Sequence, residues 1–245
     1  MLLNRSYTAA ILTAFIAASF VLCAGLSGSI TRERIEKGYV SRLPQATPVD
    51  VPLNQFFGAA LMTGFRGIVA DLLWLECDHF WHGGEWHKLL PYYYFITRLQ
   101  PKFVTVWVVG GWHMAYNVSY RVAHDKTLPE AERELESARW VERGIAFLKE
   151  GLRHNADRYE IYFELGWDYY HKVKDYREAV VYLEQAVRRP HPQWVERVLA
   201  HAYEKCGRYR DAYDVWRGID EDTGGKDGPA KRKLEELGVE MTMGK

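Results

Sequence analysis

Small residues recur along this chain at places where two helices would have to cross at close range. Cys77, Gly111, Gly166 and Ala200 each stand inside an apolar stretch of helical spacing. In three of the four cases a turn signal follows, namely Gly84-Glu85-Trp86, Asp175-Tyr176 and Gly207-Arg208-Tyr209. A second stretch of the same period then carries its own small residue, Gly144, Ala179 or Ala212. A unit of about 34 residues built this way is a helical hairpin. One hairpin cannot bury its apolar face alone, so the stack of hairpins is the folding unit and the chain is expected to be all-α.

Four copies can be laid in near-register. The first runs from Ala70 to Pro101 through Leu73, Cys77, Phe80, Leu89, Tyr93 and Ile96. The second starts at Val104 with Trp107, Gly110-Gly111 and Met114. The third, from Tyr159, has Tyr162, Leu165-Gly166, Tyr169, Ala179, Leu183 and Ala186. The fourth follows Pro192 with Leu199-Ala200, Tyr203, Ala212, Trp216 and Ile219. The pattern resembles the tetratricopeptide repeat. The segments Phe65–Trp74, Ile96–Pro101, Trp112–Ser119 and Leu165–Trp167 look like stretches of uncharacterised bacterial tetratricopeptide proteins with an N-terminal membrane segment. That resemblance implies architecture, an all-α solenoid of about four helix-turn-helix repeats, and no particular activity.

Local punctuation agrees with hairpins. Asp175-Tyr-Arg-Glu178 reads as a capping box, Gly207 as a helix C-cap, and Pro192 as a first-turn proline. Repeat two departs from the pattern. Its second-helix small residue comes about 21 residues late, at Gly144, so the segment at about 116–139 is an insert, expected as a loop plus an extension of the second helix. Glu196 stands where repeat four should carry a bulky apolar residue. Residues 220–228 form a polar, Gly-rich connector, and Pro229–Leu237 an amphipathic helix expected to cap the stack.

From Ser6 to Thr31 there is no charged side chain. A helix of that length reaches about 39 Å, enough to cross a hydrocarbon core of about 30 Å. The expected organisation is a single N-terminal transmembrane helix within 1–31, a Pro-marked linker over 32–52, a solenoid over 53–219, and a connector with capping helix over 220–245. A secretory signal peptide is the competing reading of the first segment, although Arg5 is a thin basic region and Ala24-Gly25-Leu26-Ser27 only a loose cleavage site. The expectation is a single-pass protein of the inner membrane with its soluble body on the extracytoplasmic side; the basic residues Arg32, Arg34, Lys37 and Arg42 argue for the opposite side. Val51–Phe65, also uncharged, is too short to span; it reads as a helix covering the first repeat or as a segment lying in the membrane interface.

Composition removes several functions. Lys plus Arg and Asp plus Glu both number 32, with no basic half, so binding to nucleic acid through phosphate neutralisation is not expected. The three cysteines are far apart and form neither a disulfide framework nor a C-x-x-C site. There is no G-x-S-x-G, P-loop or dinucleotide-binding glycine pattern, and the chain is read as a non-enzyme without a cofactor.

The unusual quantity is aromatic content, 14%, with nine Trp and sixteen Tyr. In the tetratricopeptide family ligands lie in the concave groove lined by the first helix of each repeat. Carried over position by position, the resemblance gives a groove of Trp74, Asp78, Trp81 and His82 in repeat one, and Val108, Trp112 and Tyr116 in repeat two. Phe163, Trp167, Tyr170 and His171 follow in repeat three, and Trp194, Arg197 and His201 in repeat four. Such rings suit an apolar or Pro-rich peptide, or a partner's helix. The alternative is that the solenoid, with Val51–Phe65 tucked inside it, buries the rings itself. The expected function is therefore a membrane-anchored adaptor or scaffold for protein partners, themselves membrane-associated, in the form of a subunit or assembly factor of a membrane complex. An alternative of another class is a metal-binding protein or metal-dependent enzyme using Glu76, His79, His82 and His87, the first three lying loosely along one helical face and His87 following after the turn. A purely structural spacer is the third possibility.

Overall fold

The computed structural model describes residues 65–242, the side chains of Trp86, His87 and residues 240–242 excepted. The expected transmembrane helix, the linker and Val51–Gly64 lie outside the described residues. Among those described, no helix is long and apolar enough to cross a membrane, and every regular element is helical. The chain divides between Phe103 and Val104 into two compact units.

The first unit holds one hairpin, α1 (Arg66–His82) and α2 (Trp86–Leu99). Val69, Ala70, Leu73, Cys77 and Phe80 recur at three- and four-residue steps along α1 and are buried, facing Leu89, Tyr93, Ile96 and Leu99 of α2. The turn is closed by Gly83 N–H to His79 O at 2.9 Å and Glu85 N–H to Phe80 O at 2.9 Å, with Gly84 at φ +71°. A second set of apolar side chains on α1, namely Ile68, Leu72 and Leu75, together with Phe65 just before it, is exposed. Their three- and four-residue steps make them a continuous apolar stripe on the outside of the hairpin.

The second unit begins with an unusually long hairpin. α3 (Val104–Trp112), a π-helical segment π1 (His113–Val118) and α4 (Ser119–Ala123) run on without a break, and α5 (Glu130–His154) returns alongside. Only residues 124–129 separate them, so the 21-residue insert lengthens both helices and leaves a short loop. The expected loop within the insert is thus smaller than the sequence spacing suggested, because helix resumes on both sides of it. Ser119 holds the extension at its base: its hydroxyl donates to Ala115 O at 2.5 Å, and its carbonyl accepts from Ser137 Oγ of α5 at 3.0 Å.

The helices of this hairpin touch backbone to backbone. A Cβ on Gly144 would lie 2.8 Å from Gly111 O, and one on Gly111 would lie 2.6 Å from Leu148 Cγ. Trp107 fills the space beyond, its ring 4.6 Å from that of Phe147. The small residues are therefore geometric requirements of the crossing.

α6 (Tyr159–Asp168) continues into a second π-helical segment, π2 (Tyr169–Val173), and pairs with α7 (Tyr176–Val187); α8 (Trp194–Lys205) pairs with α9 (Tyr209–Asp222). Gly166 again meets a leucine, Leu183, at 2.6 Å. The two turns are built alike. Lys174 (φ +64°) and Gly207 (φ +72°) take the left-handed conformation one residue before the helix N-cap. Asp175 then caps α7 by accepting from Glu178 N–H at 3.0 Å. α8 forms despite Glu196, whose carboxylate is turned to His191 Nε2 at 3.2 Å. α10 (Gly228–Thr242) packs on α9, burying Ala230 and Leu237 in the cluster that contains Trp216 and Ile219. The repeating hairpins, their small-residue crossings and this cap make the second unit a tetratricopeptide-like all-α stack, and the first unit is a further helical hairpin.

Candidate functional site

In the first unit the four expected groove residues do not act alike. Trp74 turns into its own hairpin, its ring 6.2 Å from Tyr93 and 5.9 Å from Phe103. Asp78 and His82 are exposed and satisfy each other: His82 Nδ1 lies 2.9 Å from Asp78 O and 3.5 Å from its carboxylate. Trp81 is half-buried.

In the second unit most of the expected rings come together. Trp112 lies roughly parallel to Tyr116 at 6.2 Å. The Tyr116 hydroxyl donates across to the Trp167 carbonyl at 3.4 Å, joining the first helix of one repeat to that of the next. Phe163 stacks on Trp167 at 5.7 Å and meets Trp194 edge-on at 4.6 Å. His171 packs between Trp167 at 4.0 Å and Tyr170 at 4.8 Å. Burial by the neighbouring helices, then the charges of Lys174 and Lys172, hold the His171 imidazole below its ordinary pKa. Val108 is half-buried. Trp112 keeps 39% and Trp194 46% of its surface exposed, so these rings are not core side chains.

Two expected groove residues are committed elsewhere. Arg197 forms an ion pair with Asp227, whose carboxylate also accepts from Ala230 N–H at 2.8 Å at the start of α10. His201 packs edge-on to Trp216 at 5.1 Å and lies 3.4 Å from Glu204. Burial opposes ionisation of Glu204, yet hydrogen bonds involving His201, Trp216 and Lys233 bring its carboxyl down to about 2. These polar ties fasten the capping helix, so the aromatic line ends at Trp194.

Beneath the rings lies a feature outside the expected set. Glu164 and Asp168, one turn apart on α6, are buried, with 7% and 0% of their surface exposed. Glu164 Oε1 and both Asp168 carboxylate oxygens have no hydrogen-bond partner among the described residues. Burial pushes the Glu164 carboxyl up to about 7. Burial, and then the charge of Glu164, push Asp168 up to about 9, with Lys172 pulling the other way. Both acids act on Tyr116, whose hydroxyl is raised first by its own burial. Lys172 approaches Asp168 without pairing with it; its ammonium lies 4.4 Å from the centroid of the Tyr116 ring. The sequence signal was present as Glu164-x-x-x-Asp168 straddling Leu165-Gly166. Exposed groove positions alone do not single it out, because both acids are enclosed.

The metal alternative gains no support, and the His87 side chain it names lies outside the described residues. Among the described residues no three His, Cys, Asp or Glu side chains are grouped so as to hold an ion. His79 packs against Phe80, and His82 turns to Asp78, because helical steps of three carry successive side chains round the helix and spread them apart. The Cys77 thiol, raised to about 12 by burial and by Glu76, is a packing residue.

No protein-family model matches the chain, and no curated protein matches it. Among solved structures it is similar to a protein described as a thermophilic TPR protein in Thermus thermophilus. That likeness has 19% identity and a TM-score of 0.48, and covers 74% of this chain and 90% of that one.

Proposed function

We propose that the chain is a membrane-tethered adaptor whose second unit grips a segment of a partner protein along the line Trp112, Tyr116, Trp167, Phe163 and Trp194. The observation that carries this reading is the exposure of Trp112 and Trp194 at the two ends of a connected row of rings. Large rings held by their neighbours offer contact area with little rotamer entropy to lose, which is why Trp and Tyr dominate binding hot spots. The row is built of rings that offer contact surface, so the reading is recognition.

Tethering is supported by the uncharged run Ser6–Thr31 and by the exposed apolar stripe of α1 that follows the second uncharged run. A partner in the same bilayer would meet the groove at raised effective concentration, so weak contacts suffice. The extracytoplasmic side of the inner membrane remains our preferred placement for the body.

The test is recovery of the full-length protein, with its partners, from gently solubilised native membranes, beside the Trp112→Ala/Trp167→Ala variant. The expected outcome is a stoichiometric protein present with the parent and absent with the variant, while circular dichroism shows unchanged helix. The same protein recovered with both would remove the groove assignment.

A further inference from the structure

We propose that the Glu164–Asp168 pair is the specificity element of the aromatic groove, receiving the guanidinium of an arginine in a partner segment whose flanking residues are apolar. This rests on the groove reading and adds to it the chemistry of what is bound.

Three carboxylate oxygens of this pair lack partners among the described residues, and one of the two side chains is wholly enclosed. A fold that needed only packing would place leucines there, since a buried polar group without a partner is a cost that hydrophobic replacements avoid. Departures of this kind concentrate at sites selected for something besides stability. The spacing is also informative. Acids four residues apart on a helix stand side by side, with about 5–6 Å between their Cβ atoms. One planar group with several donors can therefore serve both.

The surroundings select the cation. Tyr116 on π1 is within electrostatic reach of both acids, and Trp167, Phe163 and Trp112 carry the aromatic surface onward from it. A guanidinium presents five donors in a rigid plane and stacks on such faces, whereas an ammonium is a compact, strongly hydrated charge. A divalent ion is disfavoured, because no third His, Cys, Asp or Glu joins the pair among the described residues. Lys172 marks the way in. Its ammonium already covers the Tyr116 ring, and it belongs to π2, which starts immediately after Asp168. The proposal requires this flexible side chain to swing outward, so that an incoming cation reaches the acids from the groove. π-helical turns are frequent at functional sites, and here π1 and π2 supply the two side chains that flank the pair.

The experiment is selection of random dodecapeptides on the immobilised full-length protein in mild detergent, repeated with Glu164→Gln/Asp168→Asn and with Trp112→Ala/Trp167→Ala. The best peptide is then titrated at pH 8 with its arginine or with citrulline, the neutral isostere. Arginine flanked by apolar residues is expected to be enriched at least fivefold by the parent, and the citrulline peptide to bind at least tenfold more weakly. Glu164→Gln/Asp168→Asn should lose the arginine enrichment while melting no lower than the parent, which separates recognition from a structural role. Lys172→Ala should bind the arginine peptide more tightly, because it removes a competing cation. Enrichment of apolar peptides without arginine, or an arginine preference that survives in Glu164→Gln/Asp168→Asn, overturns the proposal and leaves the groove standing. Equal binding of the citrulline peptide overturns it likewise. Failure of the parent to enrich any peptide over Trp112→Ala/Trp167→Ala removes the groove and this inference together.

Discussion

Asp168 and Glu164 tie the stability of the second unit to pH in an unusual direction. Their folded-state pKa values stand above the ordinary carboxylate values, at about 9 and about 7, so the folded chain holds protons that the unfolded chain releases. Their contribution is greatest below pH 4 and is lost as pH rises, through 7 for Glu164 and 9 for Asp168. His113 works the other way. Burial holds its imidazole near 4, so the folded state refuses a proton that the unfolded state accepts, and stability rises with pH between 4 and 6.5. The opposing slopes overlap below 6.5, and only the acids act above it. Urea midpoints should therefore decline from pH 7 to pH 9 in the parent. Glu164→Gln/Asp168→Asn should be flat over that window and more stable at pH 8, because the amides stay neutral where the buried carboxyls must take on charge. A parent curve that is flat from 7 to 9 would show that the carboxyls ionise freely when folded. Sequence reasoning reached the rings around this pair but not the pair itself, since nothing in two acids at helical spacing tells a solvated face from a buried one.

Among elements, the hairpins were legible because their small residues are demanded by geometry that sequence records directly. Gly111, Gly144 and Gly166 each stand where a Cβ would meet the opposite helix. The π-helical segments and the doubled extension of the second hairpin were not legible. Both depend on which of two helices absorbs extra residues, and helical periodicity is the same either way. Trp74 shows the same limit, for its groove position in the repeat pattern is overridden by Tyr93 and Phe103 packing against it. Glycine substitutions separate a packing role from mere tolerance. Gly144→Ala should cost about 1–3 kcal/mol, as overpacking does, because the added methyl meets the Gly111 carbonyl, which is backbone and cannot rotate away. Gly218→Ala, in α9 with nothing within 4 Å of its would-be Cβ, should instead stabilise by about 1 kcal/mol from helix propensity alone. Both are read from thermal or urea unfolding; equal effects of the two would show that the close crossing yields more readily than the contacts imply.

For the molecule as a whole, repeat architecture makes stability approximately local, each hairpin depending on its neighbours. Within the second unit the capping helix α10 is then the protection of the last hairpin and of little else. It buries Ala230 and Leu237 against Trp216 and Ile219, and is fastened by the Arg197–Asp227 ion pair and by Lys233 on Glu204 at 3.0 Å. Ending the chain after Lys226 exposes that apolar cluster and breaks the ties to Arg197 and Glu204, near the two ends of α8. Burial of one leucine side chain is worth about 1.5–3 kcal/mol, so the loss should be of at least that order. Its distribution is the sharper expectation. Amide hydrogen exchange should quicken strongly in α8 and α9, weakly in α6 and α7, and hardly in α3 and α5. The aromatic line from Trp112 to Phe163 would then keep its geometry, while Trp194, on α8, would lose its support, and partner capture should weaken without disappearing. Equal loss of protection from α3 to α9 would mean that residues 104–226 unfold as one cooperative block. In that case the groove could not be tuned repeat by repeat, and any substitution near the cap would act on recognition through global stability instead of through the rings it touches.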